Sequence, residues 1–387
     1  MKVLLEWIFW GSFLFVVMAT VGYPVMITVL SLFSKKTRVF RDDEPMVTLI
    51  IAAYNEEKVI KSKLENSLEL DYPRERLEII VASDGSTDRT NKIVNSFAEK
   101  GIKLCAYERM GKTGIQNETV KKACGEILVF SDANAFYRRD AIRKLIRNFG
   151  DDQVGCVSGQ LVYALKDHCV AGDSECSYWS YEKYLKSKES ALCSLIGANG
   201  SIYAIRRNDY VHINEALISD LVEPLEIVKR GKRVIYEPEA ISEEEPSLSY
   251  EQEFRRKVRI LTRSIRGLLH MRSLLNPFRY GIFSVQLLVH KAFRYLIPAF
   301  LLSGTLSLFS LAGDPFYFLL LSLTILCLLM AVIAKFANNT INGNRVFKLF
   351  SLIYYYVLVN FAVTLAWMNI AKRSTMTVWT TDRKTTE

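Results

Sequence analysis

Apolar and polar positions come in alternating blocks along residues 46–236, and the blocks predict strands and helices in turn. Val47–Ala53 is a β-branched run just after Pro45; Tyr54-Asn-Glu-Glu57 follows it, then a helical stretch to about Leu70 that Tyr72-Pro73 breaks. A second run, Leu77–Ala82, ends in Ser83-Asp-Gly-Ser-Thr-Asp88, whose hydroxyls can cap a helix from Arg89 to about Lys100. Ile102–Tyr107 reads as a third strand and leads through Glu108-Arg-Met-Gly-Lys112 into a helix ending near Cys124. The consecutive apolar residues Ile127–Phe130 suit a strand buried on both faces, and the run then breaks into Ser131-Asp-Ala-Asn134. Strand and helix thus repeat in the manner of an α/β fold with a doubly wound, mostly parallel sheet. Val154–Gly159, Gly197–Ala204 and Val234–Tyr236 carry further strand signals. Tyr178–Ser190 and the segment from Ile218-Ser-Asp220 through Val228 read as helices.

Outside this block lie four runs without a charge: Trp7–Ser34, Tyr295–Gly313, Pro315–Ala334 and Leu349–Ala371. Each is near or above the ~20 residues that cross a bilayer as a helix. They divide the chain into an N-terminal transmembrane anchor (1–40), a soluble domain (41–250), basic interfacial helices (251–292) and a C-terminal transmembrane region with a tail (293–387). The first run is too long for a signal-peptide core and has no small-residue cleavage site, so a retained anchor is expected. Lys35, Lys36, Arg38 and Arg41 flank it, and a basic stretch from Arg255 to Arg279 precedes the second run. The positive-inside rule then puts the soluble domain on the cytoplasmic side of a plasma or inner membrane. Four spans would leave the C-terminus outside, whereas Lys372, Arg373, Arg383 and Lys384 favour the inside; one re-entrant run would reconcile the two.

The net charge of +9 sits largely in these flanking clusters, which points to anionic lipid headgroups and, without any nucleic-acid motif, away from nucleic acid. Seven cysteines with no CxxC pair read as small buried hydrophobes in a reducing compartment, and four scattered histidines argue against a zinc site. No GxGxxG follows the first strand, which argues against a dinucleotide-binding domain.

Asp84, Asp132 and Asp220 follow apolar strands or turn segments, and turns after parallel strands share one sheet edge. A nucleoside diphosphate uses such an arrangement well. One carboxylate can accept hydrogen bonds from base or ribose, while Asp132 and the amide of Asn134 share a hard cation with the diphosphate. Lys112, and Arg256 or Arg259, are cations suited to a departing phosphate. Each residue also has a plain structural reading: an Asx-turn at Asp132, a helix cap at Asp84, a solvated lysine at 112, and a membrane-facing amphipathic helix for the basic stretch.

In order and spacing, the motifs Tyr54-Asn-Glu56, Ser83-Asp-Gly-Ser-Thr-Asp88, Gly111-Lys112, Ser131-Asp-Ala-Asn134, Gly200-Ser201, Ser219-Asp220 and Arg256-Lys-Val-Arg259 resemble those of family 2 glycosyltransferases. The closer likeness is to the membrane-embedded branch with cellulose, hyaluronan and poly-N-acetylglucosamine synthases. It implies a GT-A fold and inverting transfer from a nucleotide-sugar donor, expected to be a UDP-sugar, to a growing β-linked polysaccharide, with Mg²⁺ or Mn²⁺. By this resemblance Tyr54, Glu56 and Asp84 line the nucleoside pocket, Asp132 and Asn134 hold the metal, and Lys112 lies near the diphosphate. Gly200 and Ser201 then border the substrate, Asp220 is the base with Glu223 as its rival, and Arg259, with Arg256, clamps the diphosphate.

Three positions depart from the pattern. Asn134 stands where the family has a second metal aspartate, and Arg256 and Ile260 replace the glutamine and tryptophan of the arginine motif. Trp179, Tyr181 and Tyr184 are the alternative aromatic platform for sugar rings, and Thr377-Val-Trp-Thr-Thr381 resembles a gating-loop segment. The expected partners are the donor, a polysaccharide or lipid-linked acceptor, membrane lipids and an auxiliary membrane subunit. Two other readings stand beside the first: transfer of a single sugar to a lipid or polyprenyl-phosphate acceptor, and a non-catalytic membrane scaffold with a nucleotide-sensing domain.

Overall fold

All seven residues of β1 (Val47–Ala53) and all eight of β2 (Leu77–Asp84) are buried, as their unbroken apolar runs require of central strands. The computed structural model describes residues 1–34, 39–163, 170–245, 250–337 and 345–373; of 170–180, 250, 335–337 and 345–349 only the backbone is described. With β3 (Ile102–Tyr107), β4 (Ile127–Asp132), β5 (Phe136–Tyr137), β6 (Val154–Tyr163), β7 (Ile202–Arg206) and β8 (Arg233–Glu244), the strands form one eight-stranded sheet in the order β3-β2-β1-β4-β7-β6-β8-β5.

β1 pairs in parallel with β2 and β4, with Ala53 opposite Ser83 and Ala52 opposite Asp132. The turns after these three strands therefore open on one edge. β7 runs antiparallel between β4 and β6, so the sheet is the mixed sheet of a GT-A-like fold. The short β5 adds a second reversal by pairing antiparallel with β8. β8 is much longer than its apolar start suggests. It takes in most of the acidic segment, with Ala240, Ser242 and Glu244 buried in alternation along it. Apolar side chains fill both faces of the sheet, and the Phe130 and Tyr203 rings stack at 4.8 Å where β4 meets β7.

The flanking helices are α2 (Ile60–Leu68), α3 (Thr90–Asn95), α4 (Gly111–Val120), α5 (Ala141–Ile146), α6 (Val170–Leu192), α7 (Ser219–Lys229) and α8 (Tyr250–His270). Among the described residues four helices are long and apolar enough to cross a membrane: α1 (Lys2–Leu32), α9 (Ile282–Leu311), and the spans Pro315–Ala334 of α10 and Phe350–Ala371 of α11. α10 and α11 extend over Pro315–Ala337 and Arg345–Ala371.

The basic stretch 251–292 is divided between two long helices. α8 stops at His270 and a short 3₁₀ turn follows. α9 then begins at Ile282 and runs through a π turn, Leu288–Ala292, into the second apolar run. His290 of that turn is accepted inside the helix because Glu182 and Glu189 of α6 face it. α8 is tied to the membrane helices through Phe254 and Phe361, whose rings stack at 5.9 Å.

The cysteines divide. Cys156 is a buried hydrophobe as expected, but Cys124 and Cys327 are exposed, the latter on an apolar helix face. Lys35, Lys36 and Arg38, the side chain of Trp179 and the Thr377–Thr381 segment lie outside the described residues.

Candidate active site

Pro224 lies inside α7 and has no N–H to return to the carbonyl of Asp220, one turn earlier. That carbonyl instead accepts a 2.7 Å hydrogen bond from the Ala198 amide, which fastens the 197–201 turn to the start of α7. A Cβ on Gly200 would meet Asp220 Oδ2 at 2.5 Å, so only glycine allows the turn to pass this close to the carboxylate. Lys112 closes the group from the other side. Its Nζ donates to Gly200 O at 3.0 Å and to Asp132 Oδ1. Asp132, Lys112, Gly200 and Asp220, from four separate chain segments, thus meet at the sheet edge.

They line a cavity of about 2030 Å³, together with Glu56, Asn134, Ser201, Glu244, Arg256 and Arg259. The ~300–1,000 Å³ of a common small-ligand pocket would not fill it, so donor and acceptor can occupy it together. Its far end reaches Ile297, Leu352, Tyr356 and Val363 on the apolar helices.

Burial pushes the Asp220 carboxyl above the ordinary carboxylate range; Lys112 opposes this, whereas Asp132 adds to it. Glu223, three residues on, is 1% exposed, does not line the cavity, and accepts a 3.0 Å hydrogen bond from the Tyr203 hydroxyl. Burial takes its carboxyl up to about 8. The rival base is therefore a core group, and Asp220 is the carboxylate presented to the cavity.

The cations stand around Asp132. Arg259 is half-buried on α8, where burial lowers its pKa and Asp132 counters that effect. Among the described residues no hydrogen bond or ion pair reaches its guanidinium, so it can receive an anion. Arg256 is engaged with Glu253 at 2.6 Å and with the Tyr163 hydroxyl at 3.4 Å. Arg263, one turn beyond Arg259, donates to Glu215 O at 3.1 Å and Leu217 O at 2.5 Å, holding α8 against the loop that enters α7.

Tyr54 and Asp84 do not line the cavity. Asp84 is fully buried at the end of β2, where its carboxylate accepts from Arg109 at 2.9 Å and from the Met110 and Gly111 amides at 2.7 and 2.9 Å. Arg109 in turn stacks on the Tyr54 ring. The pair shapes the 108–112 loop that delivers Lys112. Ser83-Asp-Gly-Ser-Thr-Asp88 and Tyr54–Glu57 are also zipped together, for example by the Thr87 amide on Asn55 Oδ1 at 2.8 Å.

The aromatic platform is not assembled at Tyr184, which lies outside the cavity lining with its hydroxyl 2.5 Å from that of Thr28. Tyr181 does line it, with its hydroxyl bound to Thr20 O at 3.1 Å.

Asp132, Asn134 and Glu244 offer only oxygen ligands, which suits a hard cation such as Mg²⁺ or Mn²⁺. Among the described residues no three His, Cys, Asp or Glu side chains form a closed cage. The donor set therefore fits a cation that shares its coordination with a diphosphate. In this setting Asp132 and Asn134 would be the ligands.

Sequence reasoning missed several residues here. Lys63 is fully buried under the 132–135 turn, donates to Ala135 O and lies 4.1 Å from the Tyr137 ring centroid; burial takes it down to about 7. It sits on the buried side of an amphipathic helix, where a lysine is itself a signal. On the membrane side, His290 and Tyr23 both meet Glu189 at 2.5 Å, and Arg294 donates to Glu182 at 2.7 Å. Lys186 and Lys291 line the same part of the cavity, and both act electrostatically on Asp220 or with it.

With this geometry in view, residues 48–210 match the family model described as Glycosyl transferase family 2. The chain carries a family 2 glycosyl transferase domain. A probable glycosyltransferase of Bacillus subtilis, YdaM, is 29% identical over 223 residues, 52% of this chain and 51% of that protein. The poly-beta-1,6-N-acetyl-D-glucosamine synthase of Staphylococcus aureus is 26% identical over 215 residues, 54% and 52% of the two chains. The chain spans about half the length of the curated relatives it matches. Among solved structures, the mannosyltransferase PcManGT from Pyrobaculum calidifontis, in complex with GDP-Man and Mn²⁺, has a TM-score of 0.69 at 22% identity. The likeness covers 96% of this chain and 99% of that one. It is one of fold, and at that coverage it takes in the apolar helices as well as the family 2 domain.

Proposed function

We propose that the chain is an inverting membrane glycosyltransferase that moves a sugar from a nucleotide-sugar donor to a membrane-associated acceptor. The observation that carries this reading is Asp220 facing one cavity with Lys112, Asp132 and Arg259. An acceptor hydroxyl gives its proton to Asp220, and its oxygen attacks the anomeric carbon from the side opposite the nucleotide. The new C–O bond forms as the bond to the diphosphate breaks, and the leaving group's charge passes to Lys112, Arg259 and Arg256. A divalent cation held by Asp132 and Asn134 would supply further charge neutralisation there.

For the acceptor, the geometry best supports a lipid-linked glycan that receives a single sugar. Lys291 lines the cavity towards the apolar helices, and among the described residues no hydrogen bond or ion pair reaches its ammonium group. Lys186 stands near it, its pKa lowered by burial. Desolvated cations on the membrane side of the base suit an anionic linkage between lipid and sugar. The likeness to poly-beta-1,6-N-acetyl-D-glucosamine synthase supports a second reading, extension of a β-linked polysaccharide, in which the same cavity receives the polymer end. The basic flanks support a cytoplasmic placement of the catalytic domain, which belongs to both readings.

A panel of UDP- and GDP-sugars with Mn²⁺ or Mg²⁺, given to the purified chain in lipid vesicles, tests the proposal through nucleotide release and product length. One sugar per lipid-linked acceptor, lost in Lys291→Met, supports the first reading. Chain growth from the donor alone replaces it with the second. No consumption of any donor contradicts both and favours a non-catalytic scaffold.

A further inference from the structure

Asn134 leaves the expected cation site with one carboxylate, Asp132, and Asp132 is already hydrogen-bonded by Lys112. A second carboxylate approaches from another strand. β5 pairs antiparallel with β8, Phe136 opposite Glu243 and Tyr137 opposite Ser242. One step further, the register sets Glu244 opposite Ala135, the residue after Asn134. Glu244 belongs to the inward series Ala240, Ser242, Glu244, is 7% exposed, and lines the same cavity as Asp132 and Asn134.

Its surroundings do not neutralise it. The Ser201 hydroxyl beside it donates to Asn199 Oδ1 at 3.2 Å, and among the described residues no lysine or arginine forms an ion pair with it. Arg256, the nearest cation by its electrostatic effect, is engaged with Glu253. Lys63 lies beneath, directed at Ala135 O and the Tyr137 ring. A carboxylate this buried, beside a second one and without an ion-paired partner among the described residues, is costly to keep charged unless a cation arrives with the ligand.

We propose that Glu244 supplies, from β8, the second carboxylate of the divalent-cation site and replaces the charge absent at Asn134. The protein ligands for Mg²⁺ or Mn²⁺ bound with a nucleoside diphosphate are then Asp132, Asn134 and Glu244. This rests on the reading of the chain as a cation-assisted nucleotide-sugar transferase. It also gives β8 a role: the strand carries its acidic end to the site because the family position next to Asp132 has lost its charge.

Mn²⁺ binding to the full chain in detergent, measured by electron paramagnetic resonance with UDP or GDP present, tests the inference independently of turnover. Glu244→Gln should weaken Mn²⁺ binding by about tenfold or more, as loss of one charged ligand does, while unchanged thermal unfolding shows that the fold is kept. Adding Asn134→Asp to Glu244→Gln should restore binding, because the charge returns two residues from Asp132. Mn²⁺ affinity in Glu244→Gln within about twofold of the parent overturns the proposal. Asp132→Ala is the control for the underlying reading. If it too keeps Mn²⁺, cation binding at this edge is wrong as a whole; if it alone loses Mn²⁺, only the role of Glu244 is.

Discussion

Asp220 and Glu223 stand three residues apart on α7, yet Asp220 faces the cavity while Glu223 is hydrogen-bonded to Tyr203 in the core. One is placed to act on a substrate and the other to hold the sheet against the helix. Glu223→Gln should therefore keep transfer within about threefold of the parent rate, since a neutral amide can still accept from Tyr203. Its effect belongs to stability. Glu223 rises from 4.5 to about 8 in the fold, so between those values the native state holds a proton that the unfolded chain has lost. That stabilisation is complete below 4.5 and fades as the pH rises towards 8. Thermal unfolding against pH should show this slope in the parent and a flatter one in Glu223→Gln.

The pH dependence of transfer should report Asp220. The base works only when deprotonated, and burial raises its pKa, so kcat/KM should fall on the acid side at a pH above the ordinary carboxylate range. Lys112 lowers that pKa; removing its charge in Lys112→Met should move the acid limb to higher pH. An unmoved limb would show that another group controls the step.

Gly200→Ala tests the close approach of the turn. Its Cβ would sit 2.5 Å from Asp220 Oδ2, so the carboxylate or the turn must shift. A displacement of about 1 Å at a reacting group can cost about 10²-fold, and kcat should fall by that order with little change in Mn²⁺ or nucleotide binding.

Arg259→Ala should weaken binding of UDP or GDP and reduce kcat by about 10²-fold, the cost of losing one preorganised partner of a developing charge. Isothermal titration with the nucleotide and steady-state kinetics read the two effects. Chelation should likewise abolish transfer, with Mn²⁺ or Mg²⁺ restoring it.

The N-terminal half of the sheet was legible because its strands are unbroken apolar runs ending in polar turns: β1, β2, β3 and β4 lie close to where pattern places them. The direction of β7 was not, since five buried or half-buried residues read alike in either sense and only the pairing with β4 and β6 settles it. The length of β8 was hidden by its acidic residues, which suggest a solvated loop; alternation at 240, 242 and 244 was the available signal. In the site, Asp132, Lys112, Gly200, Asp220 and Arg259 come together as their motifs suggest. Asp84 does not reach the cavity because its carboxylate is occupied by Arg109 and two backbone amides, a loop geometry no motif displays. The membrane-side group of Glu182, Glu189 and His290 joins α6 and α9, about a hundred residues apart in sequence, so no local pattern marks it.

The most direct test of the account is the Asp220→Asn variant, with the anomeric configuration of the product followed by nuclear magnetic resonance. The parent should release nucleoside diphosphate and form a product of inverted configuration. Asp220→Asn should bind UDP or GDP with Mn²⁺ as before and lose about 10²–10⁴-fold in transfer. Undiminished transfer in Asp220→Asn, or a product that retains the donor's configuration, would contradict it.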